Sequence, residues 1–192
     1  MAELRVARSE LILGGQKSGK TRRAEDLAAA WLARSDAHRA VYIATAQAWD
    51  GEMRNRIERH RQDRAQRVPR METVEEPYEL ARAIGAHSRA DTLIVVDCLT
   101  LWLTARLMPK DPHPRPGPLP QAGEGAITAA LKQCAGPIVL ISNEIGQGVV
   151  PLGADTRNFV DALGTLNQEA AAACERVTLM SAGIALTLKG VS

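Results

Sequence analysis

Gly14-Gly15-Gln16-Lys17-Ser18-Gly19-Lys20-Thr21 constrains this chain more than any other segment. It follows the aliphatic run Glu10 to Leu13 and passes directly into a helical pattern, with Ala24, Leu27, Ala28, Trp31 and Leu32 at i, i+3, i+4, i+7 and i+8. The motif is G-x-x-x-x-G-K-T between a strand and an amphipathic helix. Its glycines let successive backbone N–H groups turn inward on phosphate oxygens, and the helix N-terminus adds its positive dipole end. In such a loop Lys20 reaches the β- and γ-phosphates and the Thr21 hydroxyl ligates Mg²⁺, so a nucleoside triphosphate is the expected ligand. The plain alternative is a glycine-rich turn that merely opens a helix.

The rest of the chain reads as a fold that can carry this loop. Aliphatic runs at Ala40 to Ala44, Thr92 to Val96 and Pro137 to Ser142 alternate with longer helical patterns, one of them marked by Phe159, Leu163, Leu166, Ala170 and Cys174. This alternation predicts an α/β fold with a mostly parallel sheet flanked by helices. Val177 to Met180 and Ile184 to Leu188 bracket Ser181-Ala182-Gly183 and predict a C-terminal edge hairpin. Asp97 closes the run Leu93-Ile94-Val95-Val96 and is the candidate second magnesium carboxylate. An N-cap role for the following helix is its structural alternative.

Composition narrows the functions open to the chain. With 192 residues and a formal charge of +2, it is expected to form a single domain over 1–192, and its whole surface is not built for nucleic acid. Six aromatics (Trp 3, Tyr 2, Phe 1) leave few platforms for stacking bases. Cys98, Cys134 and Cys174 lack zinc-ligand spacing and read as reduced core thiols. No apolar run is long enough to span a membrane and the start lacks a signal-peptide core, so the expected location is cytoplasmic.

Three further segments stand out. Arg54 to Arg70 holds seven arginines against Glu58 and Asp63. On a helix Arg56, His60 and Arg64 fall at i, i+4 and i+8, and cations on either side favour a neutral, nucleophilic imidazole and could hold the phosphate it attacks. A solvated basic helix with a packing His60, or a grip on nucleic-acid backbone, are the alternatives. The pattern Leu99 to Met108 is apolar nearly all round, which predicts burial on two sides or cover by another subunit. Residues 109–121 hold six of the ten prolines and read as a poorly ordered solvated loop or a partner-docking segment.

Taken together, LILGGQKSGKT at 11–21, VYIATAQAWDGEMRNRIERHRQDR at 41–64, TVEEP at 73–77, LIVVDCLTLWL at 93–103, SNEIGQGVVP at 142–151 and DALGTLNQ at 161–168 resemble the bifunctional adenosylcobinamide kinase / adenosylcobinamide-phosphate guanylyltransferase family of cobalamin biosynthesis. The resemblance implies a P-loop NTPase (RecA-like) fold and two reactions. Adenosylcobinamide is phosphorylated by ATP or GTP, and GMP then passes from GTP through a guanylyl-histidine to adenosylcobinamide phosphate. It implies His60 and Lys20 as catalytic residues and Mg²⁺ at Thr21 and Asp97. Nucleotide contacts are implied at Gly14, Gly15, Gln16, Lys17, Ser18, Gly19, Lys20 and Thr21, at Thr45, Ala46 and Gln47, at Arg61, Gln62, Asp63 and Arg64, and at Glu75 and Asp97. A homotrimer is implied as well, with no nucleic-acid partner. Unlike the usual family pattern, the chain has a longer stretch between His60 and Thr73, Thr104-Ala105 after Trp102-Leu103, the proline-rich 109–121 segment and an N-terminal extension over 1–8.

Overall fold

A computed structural model describes residues 4–48, 50–108, 122–148 and 151–190. The proline-rich 109–121 segment lies outside them.

Alternation of aliphatic runs with helical patterns folds as the sequence predicts. The elements are β1 (Ser9–Gly14), α1 (Lys20–Ala33), β2 (Arg39–Ala44), α2 (Gly51–Arg67), β3 (Met71–Glu75), α3 (Leu80–His87), β4 (Thr92–Asp97), α4 (Leu99–Leu107), α5 (Ala122–Gln133), β5 (Ile138–Ile141), α6 (Ala154–Ala173), β6 (Arg176–Ser181) and β7 (Ile184–Lys189). The strands form one sheet in the order β3-β2-β4-β5-β1-β6-β7. Every pairing is parallel except that of β7 with β6, which is the expected terminal hairpin.

Because successive strand side chains point to opposite faces, the central strands feed two cores. Leu11, Val41, Ile43, Ile94, Val96, Ile138 and Leu140 pack against α3 through α6. Ile12, Tyr42, Leu93, Val95, Val139 and Ile141 pack against the α1 stripe of Ala24, Leu27, Ala28, Trp31 and Leu32. The central strands are buried on both sides, which is why they read as unbroken aliphatic runs rather than as alternation.

Helix α4 buries part of its apolar surface in the chain and leaves Leu101 and Leu107 half-buried. Leu99, Trp102, Leu103 and Ala105 are buried within the chain itself, and Trp102 Nε1 donates to the Tyr78 carbonyl at 3.0 Å. Among the described residues the exposed large apolar side chains are Met108 at the end of α4, Ile145, Leu152 and, on β7, Ile184, Leu186 and Leu188.

All three cysteines are free and buried. Burial pushes the thiols of Cys98 and Cys174 up to about 12. Since the thiolate is the reactive form, native protein at pH 8 should take up almost no iodoacetamide at these positions, and unfolded protein should label fully. Rapid native labelling of Cys98, read by peptide mass spectrometry, would show that the β4–α4 junction opens.

Candidate active site

In a parallel sheet every strand's carboxyl end reaches the same edge, and that edge gathers the site. It brings together Gly14 at the end of β1, Thr45 after β2, Glu75 at the end of β3 and Asp97 at the end of β4. Ala44 is in register with both Glu75 and Asp97. β5 alone separates the phosphate-loop strand from the Asp97 strand.

The loop has glycine where only glycine fits. Gly14 has φ +148°, and a side chain there would run into the Met180 carbonyl and Ser18 Oγ. Gly19 has φ +103° and packs against Gly183 in the β6–β7 turn, whose N–H donates to the Ser18 carbonyl at 2.9 Å. The hairpin therefore braces the phosphate loop, a role that its sequence does not announce. Ser18 Oγ is buried without a hydrogen-bond partner among the described residues, which leaves a hydroxyl inside the loop for a ligand oxygen.

Lys20 is only 8% exposed, and its ammonium donates to the carbonyls of Gly14 at 2.8 Å and Gly15 at 2.7 Å. Burial lowers its pKa, opposed by Cys98 and Asp97 and helped by Arg56 on α2. A cation already stripped of water interacts strongly with phosphate, because little hydration is left to lose. Thr21 Oγ1 donates to Asp97 Oδ2 at 3.1 Å, so the two predicted metal residues do meet. The helix cap beside Asp97 is Cys98, whose sulfur accepts from Leu101 N–H. Asp97 is thus not the cap, and its carboxylate faces the Thr21 hydroxyl instead. A hydroxyl and a carboxylate side by side are the hard oxygen donors that suit Mg²⁺. Among the described residues no cluster of three His, Cys, Asp or Glu side chains could hold a metal.

The structure gives the other sequence-predicted residues different surroundings. Thr45 is fully buried and its hydroxyl is spent on the backbone of Cys98, accepting from its N–H and donating to its carbonyl, both at 2.8 Å. It fixes the strand end that carries Asp97. Gln47 Nε2 donates to Tyr78 Oη at 2.6 Å, Ala46 is half-buried and Glu75 is exposed. Gly15, Gln16 and Lys17 form the exposed tip of the loop.

Helix α2 begins with Asp50 capping Met53 N–H at 2.7 Å, and of all its residues only Arg64 is buried. The Arg64 guanidinium lies 3.8 Å from the Tyr42 ring centroid and donates to Thr73 Oγ1 at 3.1 Å. Arg67 pairs with buried Glu25 at 2.8 Å, and Arg70 bonds the Asp36 and His38 carbonyls. Two arginines of the helix and a third just after it therefore tie this segment to the body, which thins the basic face that the sequence suggested. His60, Arg56 and Arg61 stay exposed, Gln62 bonds Glu58, and half-buried Asp63 pairs with Arg67. Arg64→Met should lower stability by about 2 kcal/mol, the sum of a desolvated cation–π contact and the Thr73 bonds. Urea unfolding checks this, and an unchanged midpoint would place α2's anchor elsewhere.

Three residues matter that no sequence motif singles out. Tyr42 Oη donates to Asp97 Oδ2. Burial pushes its phenol well above the ordinary value, and the Asp97 charge and hydrogen bond push it further, so Tyr42 stays a neutral donor. Ser142 and Thr100 meet at 3.5 Å, and Thr100 Oγ1 accepts from Asn143 N–H at 2.9 Å. That bond seats the loop that follows β5.

A parallel sheet with this phosphate loop, a magnesium-type hydroxyl–carboxylate pair and an adjoining basic helix defines a P-loop nucleotide-binding protein. Residues 10–188 match the family described as cobinamide kinase / cobinamide phosphate guanyltransferase, and the chain belongs to that family. It is 47% identical over 182 residues to the bifunctional adenosylcobalamin biosynthesis protein CobP of Pseudomonas aeruginosa, covering 94% of this chain and 97% of that protein. It is 36% identical over 190 residues to the bifunctional adenosylcobalamin biosynthesis protein CobU of Escherichia coli, covering 93% and 98% respectively. The corresponding CobU of Salmonella typhimurium is 35% identical over 187 residues, at 93% and 98%.

Proposed function

We propose that this protein phosphorylates adenosylcobinamide with ATP or GTP and then transfers GMP from GTP to the phosphorylated product. The observation that carries the reading is the convergence of Lys20, Thr21 and Asp97 at one sheet edge. In the first reaction the acceptor hydroxyl attacks the γ-phosphorus, loses its proton, and the nucleoside diphosphate leaves. Lys20 offsets the charge that gathers on the departing oxygens. Thr21 and Asp97 would hold Mg²⁺, which would supply neutralisation of phosphate charge. In the second reaction a His60 nitrogen attacks the α-phosphorus of GTP and pyrophosphate leaves. The acceptor's phosphate oxygen then attacks the same phosphorus, freeing the imidazole and giving adenosylcobinamide-GDP.

Incubation with GTP labelled on the α-phosphate tests this. Protein-bound label that is acid-labile, base-stable and discharged by adenosylcobinamide phosphate supports the transferase. Phosphorylation of adenosylcobinamide without such label would leave a plain P-loop kinase with a structural His60. Among the described residues no helix is long and apolar enough to cross a membrane, and cytoplasmic placement is part of the proposal. So is a homotrimer without a nucleic-acid partner. Among the described residues, Ile184, Leu186 and Leu188 on β7 form an apolar stripe open to another subunit.

A further inference from the structure

A short polar relay joins the arginine-rich helix to the carboxylate beside the phosphate loop. Arg64, near the end of α2, stacks on the Tyr42 ring and bonds Thr73 on β3. At the other end of the same side chain, Tyr42 Oη donates to Asp97 Oδ2, which also accepts from Thr21 Oγ1 at 3.1 Å. Neither phosphoryl transfer nor guanylyl transfer, as written above, uses a phenol. In an otherwise apolar face shared with Leu93, Val95 and Ile141, phenylalanine would fill the space as well. Burying a hydroxyl is costly unless it is bonded, so the hydroxyl's value lies in its one acceptor.

We propose that Tyr42 is a positioning residue, setting the Asp97 carboxylate for the magnesium-bound nucleotide and tying that setting to the seating of α2 through Arg64. The inference rests on the magnesium reading of Asp97. Two donors from different elements converge on Oδ2, while Oδ1 takes no hydrogen bond from the described residues. Thr21 can donate its proton to Asp97 and still turn a lone pair to a cation, but alone it leaves the carboxylate free to swing about that single bond. Tyr42 removes this freedom, because its ring is held between the α1 core and the Arg64 guanidinium. The pocket for the metal is therefore preorganised from the side of the sheet that also anchors the His60 helix.

The test separates the two ends of the tyrosine. Tyr42→Phe keeps the ring and removes the hydroxyl, whereas Tyr42→Leu removes the stacking platform too. Calorimetric binding of a non-hydrolysable ATP analogue is measured with excess Mg²⁺ and with EDTA. Tyr42→Phe should weaken the magnesium complex about tenfold, the scale of one hydrogen bond to a charged group, and leave EDTA binding within about twofold of the parent. Added to Asp97→Asn, it should cause no further loss. Hydrogen exchange of the 56–67 amides should be unchanged in Tyr42→Phe and faster in Tyr42→Leu. Equal weakening with and without Mg²⁺, or additive losses in the double variant, would reduce Tyr42 to ordinary packing and overturn the proposal. If Asp97→Asn loses magnesium-dependent affinity while Tyr42→Phe keeps it, the relay is wrong and the magnesium reading stands. If neither variant shows a magnesium-specific loss, both fall together.

Discussion

Lys20→Met should cut kinase turnover by about 10²–10³-fold while leaving the fold intact. The methionine keeps the buried aliphatic stem and removes only the ammonium. The folded chain buries this lysine, so its removal has to be weighed as a core change as well. Both carbonyls it holds retain another donor: Gly14 O accepts from Glu144 N–H at 3.2 Å, and Gly15 O accepts from Ser18 N–H at 3.3 Å. No buried acceptor is orphaned, so the stability cost should stay near 1 kcal/mol, or about 2–4 °C in Tm for a chain of this length. The kinetic effect is larger because the ammonium's partner is charge that develops only as the β–γ bond breaks. A γ-labelled phosphate-transfer assay beside a thermal melt checks both halves. Near-parental turnover in a folded variant would take the phosphate loop out of the mechanism.

How much of this was legible in the sequence depends on whether the information was local. Gly14 to Thr21, the α1 stripe and the aliphatic strands were readable because each carries its pattern within one element. β3 was not, since Met71-Glu72-Thr73-Val74-Glu75 alternates with charged residues and only Met71 is buried, as suits an edge strand. α3 was missed for a similar reason, having Leu80 and Ile84 as its only buried anchors. Strand order was beyond reach, because no local pattern places β5 between β1 and β4.

The site divides along the same line. Thr21 and Asp97 were paired from two motifs 76 positions apart, and their hydroxyl–carboxylate bond joins them. Arg64 reads as one more charge in a basic run, and Tyr42 reads as one more apolar residue in a strand. Their roles depend on a contact between α2 and β2 that neither segment encodes. The expected Arg56-His60-Arg64 face is divided for the same reason, with Arg64 turned into the body and the other two left in solvent.

His60→Ala should abolish GMP transfer and leave adenosylcobinamide phosphorylation near the parental rate. His60 is exposed on α2 and makes no hydrogen bond among the described residues, so alanine removes no native contact and suits a helix better. A surface change of this kind moves stability by no more than about 0.5 kcal/mol, too little to explain a lost activity by unfolding. Position separates it from the other described histidines. His38, just before β2, is stacked on Trp31 at 3.8 Å with Nδ1 2.8 Å from the Trp31 carbonyl. His87 ends α3, shortly before β4 begins. Both therefore lie toward the amino ends of the strands, away from the phosphate loop, whereas His60 follows Arg56 by one turn and Arg56 is felt at Lys20. Imidazole suits the step because its ring nitrogen offers a lone pair to phosphorus, and the phosphoramidate it forms can pass GMP on. Intact-protein mass spectrometry after incubation with GTP and Mg²⁺ should find one GMP adduct on the parent and none on the variant, with adenosylcobinamide phosphate accumulating in the full reaction. An adduct mapped to another histidine, or undiminished GMP transfer by His60→Ala, would remove His60 from the chemistry and leave α2 a solvated basic helix.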